Sequence, residues 1–183
     1  IRAHTQINEV ILSGGDPLSL SDEKLQALIQ KIERIPHIRT LRIHSRSAVV
    51  TPSRITDQLA QILNQTSLNV VVVLHSNHAN ELSSEFVKNI GKLSQITLLN
   101  QSVLLKGVND SAQALSDLSL QLFDAGVLPY YLHLLDKVSG AEHFLVGDQC
   151  AKELHQQLKK NLSGYLVPRL VRDENGEFKA WIG

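Results

Sequence analysis

The chain has 183 residues, and 43% of them are hydrophobic, which is enough to bury the core of one domain. Its 18 basic and 18 acidic residues cancel, and neither sign forms a block, so composition gives no electrostatic reason to expect nucleic acid or a membrane as partner. The longest purely aliphatic run, Val70 to Leu74, is far shorter than the ~20 apolar residues of a membrane span, and the first residues show no signal-peptide pattern. We therefore expect a cytoplasmic protein with a small-molecule ligand.

Five short runs of aliphatic and β-branched residues predict strands. The runs are nearly continuously apolar, which is typical of strands that are covered on both faces, as in a parallel sheet. They span residues 9–13, 40–44, 69–75, 96–104 and 128–135.

Helical patterns separate these strands. Apolar residues recur at helical spacing within residues 25–32, 55–63, 82–93, 115–122 and 151–162. Strict alternation of strand and helix implies right-handed crossovers, and hence either a (βα) barrel or an open doubly wound sheet. A complete eight-unit barrel usually needs ~250 residues, so the five visible units predict an α/β fold that is a partial barrel or a piece of one.

The segment after the fifth helix changes character. It reads "SGYLVPRLVRDENGEFKAWIG" and contains an extended run, a turn at Asn175-Gly176 and a second extended run that ends at Trp181. We therefore divide the chain into a partial barrel at residues 1–162 and an appended C-terminal hairpin segment at residues 163–183.

Polar residues gather at or just after the ends of the predicted strands. The carboxyl ends of parallel strands form the edge at which α/β folds bind ligands. A lone histidine at a strand end is more often structural than catalytic, but five polar strand ends coincide here and together predict an active site. The residues are Asp16, His44, Ser45, Arg46, His75, Asn77, His78, Asn100, Gln101, His133 and Asp136.

The first of these strand ends carries the sequence "SGGDP". It is neither a dinucleotide fingerprint, because G-x-G-x-x-G is absent, nor a P-loop, because no G-K-[ST] follows. Adjacent glycines allow a ligand to approach bare backbone amides and carbonyls. A zwitterionic amino-acid moiety would suit such a backbone.

Six motifs in order resemble the lysine 2,3-aminomutase family across essentially the whole chain: "GGDPL", "RIHSR", "HSNHANE", "NQSVLLKGVND", "AGVLPYYLHLLDKVSGAEHF" and "SGYLVP". Within the family, the likeness is greatest to the bacterial branch that supplies β-lysine for modification of elongation factor P. The resemblance implies a six-unit partial barrel of the radical S-adenosylmethionine (SAM) type, with the visible strands as its second to sixth. It also implies an isomerase that moves the amino group of L-lysine from carbon 2 to carbon 3, using SAM, a [4Fe-4S] cluster and pyridoxal phosphate.

The resemblance further implies roles for individual residues in binding SAM. The glycine turn with its aspartate would line the methionine amino group, the second strand end would contact the same cofactor, and two further positions would lie near the ribose and adenine. In chain order these residues are Gly14, Gly15, Asp16, Ser45, Arg46, His75 and Gln101.

The remaining implied residues concern lysine and pyridoxal phosphate. Asp136 aligns with a carboxylate that receives a substrate ammonium, and Lys179 aligns with the lysine that binds pyridoxal phosphate. Asp173 corresponds to a second substrate carboxylate, with Glu174 as an equal alternative, because the interval from Pro168 to Lys179 is one residue shorter than the family pattern.

One family feature is missing from the chain. Radical SAM enzymes hold their cluster with C-x3-C-x2-C after the first barrel strand, whereas this sequence has one cysteine, Cys150, which excludes an internal disulfide and a cluster ligated by this chain alone. We expect Cys150 to be a small buried hydrophobe. We also expect Ile1 to lie downstream of the cluster loop and the isolated chain to be inactive.

Two other functions stay open at this point. A metal-dependent hydrolase could use His44, His75, His78, His133 and Asp136 as ligands, and a non-catalytic binding module could keep the same scaffold. The sequence also leaves open the fate of β-lysine, substrates other than free lysine, and the oligomeric state, a homo-oligomer included.

Overall fold

The computed structural model describes residues 1–136, 140–172 and 180–181. One seven-stranded sheet runs through it, with the strands in the order in which they occur in the chain. The strands are β1 (Glu9–Leu12), β2 (Thr40–Ser45), β3 (Asn69–His75), β4 (Thr97–Leu104), β5 (Leu128–Leu134), β6 (Arg169–Arg172) and β7 (Ala180–Trp181).

The sheet has the sequential order of a barrel rather than the reversed order of a doubly wound sheet. Strand β2 pairs in parallel with β1 and β3, and β5 pairs in parallel with β6, while β7 is antiparallel to β6. The prediction of an α/β partial barrel is confirmed, with six parallel strands. The sixth comes from the first arm of the C-terminal hairpin, since Tyr131 of β5 is the register partner of Arg169.

In the described part of the chain, six α-helices connect the strands: α1 (Asp22–Glu33), α2 (Ser47–Val50), α3 (Asp57–Gln65), α4 (Ser84–Ile90), α5 (Ala112–Asp124) and α6 (Asp148–Asn161). Four of them begin at a hydroxyl side chain that accepts a hydrogen bond from a backbone N–H of the first turn, which stabilises the helix start. These caps are Ser21, Thr56, Ser83 and Ser111. No helix in the described part of the chain is long and apolar enough to cross a bilayer.

The chain forms two compact units. The first comprises Ile1–His75 and Ser83–Leu99, and the second comprises Ser76–Leu82 and Asn100–Gly183. Fully buried aliphatic side chains fill the first unit, among them Leu25, Leu41, Ile43, Leu59 and Val72. The core of the second unit joins strands β4, β5 and β6 to helices α5 and α6 through Leu104, Leu115, Leu132, Leu134, Ala151, Leu154, Leu158 and Leu170. The boundary between residues 162 and 163 stays a prediction.

Successive side chains of β4 point to opposite faces of the sheet, and this decides which of them a ligand could reach. Asn100, Ser102 and Leu104 are buried, and Leu104 belongs to the core with α5 and α6. Because successive side chains of a strand point to opposite faces, Gln101 and Val103 lie on the other face, where both are half-buried.

Candidate functional site

The turn after β1 presents bare backbone. Gly14 and Gly15 have φ angles of 79° and 61°, in the left-handed region that favours glycine. Both are exposed, and a Cβ atom placed on either would meet nothing within 4 Å. The turn therefore has open space beside both glycines, which fits the close approach of an amino-acid moiety.

Asp16 ties this turn to the end of β2. Its Oδ1 accepts hydrogen bonds from the Leu18 amide at 3.0 Å and the Ser45 hydroxyl at 2.8 Å. Its Oδ2 accepts from the amides of Arg46 and Ser47, both at 2.8 Å. The turn and the strand end, which are about thirty residues apart in sequence, are thus joined by one carboxylate.

The same contacts determine the charge of Asp16. Partial burial is the largest single influence on its pKa and acts to raise it. Hydrogen bonds from the Ser47 amide, the hydroxyls of Ser45 and Ser47, and the Leu18 amide together outweigh burial and lower the pKa below the ordinary value of 3.8. Asp16 is therefore an anion at neutral pH.

The first unit brings several predicted residues to one edge. Ser45 is the last residue of β2 and is 4% exposed, and Arg46 follows it with an exposed side chain. Ser45 is the register partner of Leu74, so His75 follows at the carboxyl end of the neighbouring parallel strand. Asp16, which follows the glycine turn, therefore lies beside Ser45 and Arg46.

The segment Ser76–Leu82, which belongs to the second unit, binds its own polar groups. Glu81 Oε1 accepts hydrogen bonds from the amides of Asn77 and His78 at 2.6 and 3.0 Å. His78 Nδ1 accepts from the Asn80 amide at 3.1 Å, so the imidazole takes part in a capping box. His78 therefore has a structural task in the fold.

Two buried asparagines hold the same segment against β4. Asn100 Oδ1 accepts from the Ser76 amide at 2.9 Å, and its Nδ2 donates to the Ser76 carbonyl at 3.1 Å. Asn109 Nδ2 donates to the carbonyls of Asn77 and Val103 at 2.8 and 2.9 Å. Asn77 and Asn100, which the sequence placed among the ligand-binding candidates, thus connect two parts of the fold.

Asn109 was not singled out from the sequence. Its Oδ1 also accepts from the Leu105 amide at 2.7 Å, and its side chain has no exposed surface. The one available signal was an asparagine in the "GVND" turn directly after a predicted strand, because asparagine commonly bonds nearby backbone in turns.

The remaining predicted residues lie in the second unit or outside the described residues. Gln101 lies inside β4, three residues before its end, and Asp136 is exposed two residues after β5. Lys179, Asp173 and Glu174 lie outside the described residues, so their roles stay predictions.

Two expectations about metals and thiols can be compared with the structure. Cys150 is exposed on α6, so the prediction that it is buried is wrong; it lies in the first turn of the helix. Within residues 1–136, 140–172 and 180–181, no three His, Cys, Asp or Glu side chains form a group that could hold a metal ion.

Three curated proteins that are similar to the chain are named L-lysine 2,3-aminomutase. The chain is 54% identical over 179 residues to L-lysine 2,3-aminomutase from Haemophilus influenzae, 51% identical over 179 residues to that of Escherichia coli, and 40% identical over 178 residues to that of Clostridium subterminale. These alignments cover 96 to 97% of the chain, and the chain spans about half the length of the curated relatives it matches. The resemblance read from the ordered motifs is confirmed. No protein-family model matches the chain.

Two solved structures have a similar fold. A radical SAM methyltransferase from Sphaerobacter thermophilus matches with a TM-score of 0.61 at 18% identity, covering 92% of this chain and 52% of that one. A domain of pyruvate-formate lyase-activating enzyme from Bacteroides vulgatus matches with a TM-score of 0.57 at 13% identity, covering 90% of this chain and 98% of that one. At such identities the likeness concerns the fold alone.

Proposed function

We propose that the chain belongs to the lysine 2,3-aminomutase family and forms part of an isomerase that moves the amino group of L-lysine from carbon 2 to carbon 3. The observation that carries this proposal is its identity of 50 to 54% with three bacterial L-lysine 2,3-aminomutases over 97% of the chain. The proposed cofactors are SAM, a [4Fe-4S] cluster and pyridoxal phosphate. When bound, they supply radical chemistry at carbon 3 and a ring that carries the migrating nitrogen.

The edge of the first unit supports SAM as a ligand. Gly14 and Gly15 leave open space for the methionine moiety, and the exposed residue Arg46 carries a guanidinium, which is a suitable partner for a carboxylate. His75 and Gln101 are proposed for the ribose and adenine. The single cysteine of the chain cannot supply the three thiolates of the cluster.

The chain's proposed task toward lysine is orientation. Asp136 would bind a substrate ammonium, together with Asp173 or Glu174, and fix one end of lysine relative to the reacting carbons. Lys179 would hold pyridoxal phosphate. We further propose that the product serves elongation factor P modification and that the protein acts in the cytoplasm.

The direct test is turnover by the full-length protein. It is reconstituted without oxygen with iron, sulfide and pyridoxal phosphate, reduced, and supplied with L-lysine and SAM. We expect β-lysine, detected by mass spectrometry, only when SAM is present. A preparation with an intact cluster and bound pyridoxal phosphate that makes no β-lysine would contradict the proposal.

A pair of variants at the two ends of β2 tests the site. Arg46→Gln should lower turnover at subsaturating SAM by about tenfold or more, since a charge-assisted hydrogen bond is worth roughly 1.5–3 kcal/mol. Arg39→Gln removes an exposed arginine just before the same strand and should change turnover little. Equal effects of both substitutions would place the SAM carboxylate elsewhere.

A further inference from the structure

A second cavity lies in the second unit, where the chain leaves α6 and returns to the sheet. It has a volume of about 220 Å³ and is lined by His155, Lys159, Gly164, Val167, Pro168 and Arg169. Because β6 begins at Arg169, the cavity lies at the amino end of this strand. The candidate site described above lies at the carboxyl ends of strands, so the cavity is a separate place in the fold.

One hydrogen bond determines what His155 can offer to a ligand. Its Nε2 lies 2.9 Å from the Pro168 carbonyl oxygen, which only accepts, so Nε2 carries the hydrogen and donates it. Burial is the main cause that lowers the pKa of His155, which favours the neutral ring. A neutral imidazole with its hydrogen on Nε2 has no second N–H group. His155 therefore cannot donate a hydrogen bond to an anion in the cavity.

The positive charge of the cavity comes from two other residues. Lys159 lies one helical turn after His155 on α6, and Arg169 is the first residue of β6. Both are exposed, so the charged part of the lining is also the part in contact with water. Among the described residues, no carboxylate lines the cavity. The lining thus combines two cations with the neutral ring of His155 and the apolar side chains of Val167 and Pro168.

We propose that this cavity binds a small monocarboxylate with an apolar body. The carboxylate would lie at Lys159 and Arg169, which are suitable donors for it, and the apolar body beside the residues without charge. A cavity of about 150 Å³ holds one benzene molecule, so this cavity has room for one six-membered ring with small substituents. A phosphate dianion fits less well, because a largely apolar lining compensates poorly for the lost hydration of a second charge.

The test compares two ligands of the same shape and different charge. 4-Methylbenzoate carries the carboxylate, and 4-methylbenzamide replaces it with a neutral amide. Their Kd values are measured with the full-length protein by ligand-observed NMR titration. The native protein should bind the benzoate about tenfold more tightly than the benzamide, the value of a charge-assisted hydrogen bond.

Two neighbouring lysines of α6 test the position of the carboxylate. Lys159→Gln should weaken the benzoate about fivefold, since a partly exposed ion pair is worth less than a buried one, and should change the benzamide less than about twofold. Lys160→Gln is the matched control: it removes the same charge from the next residue, which is exposed and does not line the cavity. It should change both Kd values by less than about twofold.

Two glycines test the position of the apolar body. A Cβ atom on Gly164 would meet nothing within 4 Å, and this glycine does not have a left-handed φ angle, so Gly164→Leu adds a side chain at the wall of the cavity without backbone strain. This variant should lose both ligands. Gly91 of the first unit has the same free space and no left-handed φ angle, and Gly91→Leu should bind both ligands as the native protein does.

Four results would contradict the proposal. The native protein could bind neither ligand, or it could bind the benzoate and the benzamide equally. The Lys159→Gln and Lys160→Gln variants could have equal effects, which would place the carboxylate elsewhere on the protein. Gly164→Leu could fold and keep its affinity for both ligands. If Gly164→Leu does not fold, the comparison of the two lysine variants decides.

Discussion

At the scale of single residues, polar side chains differ in whether their polar atoms are already hydrogen-bonded within the fold. Those whose atoms are already bonded have a structural role, and the others can bind a ligand. Asn100 and His78 look like site residues in the sequence, but their polar atoms bind backbone of the same unit. Gly14 and Gly15 carry no functional group, yet the turn that they form has open space beside it. Residue type alone therefore ranks the candidates poorly.

His155 is a buried imidazole outside the proposed SAM site. It is 2% exposed on α6, and its Nε2 lies 2.9 Å from the Pro168 carbonyl, to which a neutral imidazole can donate from that nitrogen. Burial is the main cause that lowers its pKa; the Pro168 hydrogen bond acts in the opposite direction, and the charge of Lys159 lowers the pKa further. Its Nδ1 has no hydrogen-bond partner among the described residues.

This lowered pKa predicts acid sensitivity. The unfolded chain binds a proton on this histidine near pH 6.5 and the folded chain only at lower pH, so between the two values the unfolded state holds more protons. The free energy of unfolding should therefore fall as the pH drops below about 6.5. Urea unfolding at a series of pH values measures this slope.

The His155→Gln variant isolates the contribution of this residue. Glutamine Nε2 can still donate to the Pro168 carbonyl, but it does not titrate, so the slope just below pH 6.5 should be smaller than in the native protein. Subtracting the slope of the variant from that of the native protein removes the contribution of the other histidines, which both proteins share. Identical slopes would mean that His155 does not change protonation on unfolding.

At the level of elements, asparagine side chains connect the segment Ser76–Leu82 to β4 and to the turn after it. Asn77 Oδ1 accepts from the Val103 amide at 2.8 Å, and Asn109 bonds the Asn77 carbonyl in return. Because both partners are largely shielded from water, each lost bond leaves a buried polar group unsatisfied, which is costly. The strand that carries Gln101 is thereby held in a fixed place within its unit.

Asn109→Ala should lower the free energy of unfolding by about 3 kcal/mol or more, since one N–H and two carbonyls lose their partner and each costs roughly 1–3 kcal/mol. Urea unfolding measures the loss. Asn89→Ala is the control: Asn89 is also buried, but its Nδ2 donates only to the Glu85 carbonyl within α4, and alanine favours helix. A similar loss in both variants would show that burial, and not the connection to β4, sets the cost.

For the molecule as a whole, the prediction to test is which lysine binds pyridoxal phosphate. The motif order favours Lys179, and we expect Lys179→Ala to abolish the visible absorbance of bound pyridoxal phosphate in the full-length protein. Lys160→Ala, on the exposed side of α6, should leave the absorbance unchanged. Retained absorbance in Lys179→Ala would assign the cofactor to another lysine.

Local patterns predicted most of the elements of the fold. The five strands found from apolar runs agree with the structure within one residue at nearly every end, because burial on both faces leaves a clear signal. The four-residue α2 was not predicted, and β6 was expected as the first arm of an appended hairpin rather than as a parallel strand beside β5, because its "RLVR" is too brief and too charged to indicate a buried parallel strand. Parallel pairing with β5 stabilises β6, and this cannot be read from its own residues.

The sequence by itself determined the fold class, the positions of the main strands and the glycine turn, because apolar periodicity and glycine conformation are local properties. Only the tertiary structure decided which polar groups remain for a ligand. The donors that fill Asp16 include Ser45, 29 residues away, and Ser47, 31 residues away. Hydrogen-bond donors and acceptors pair between residues that are distant in the chain and adjacent in space. No local sequence pattern therefore shows which of them are already paired.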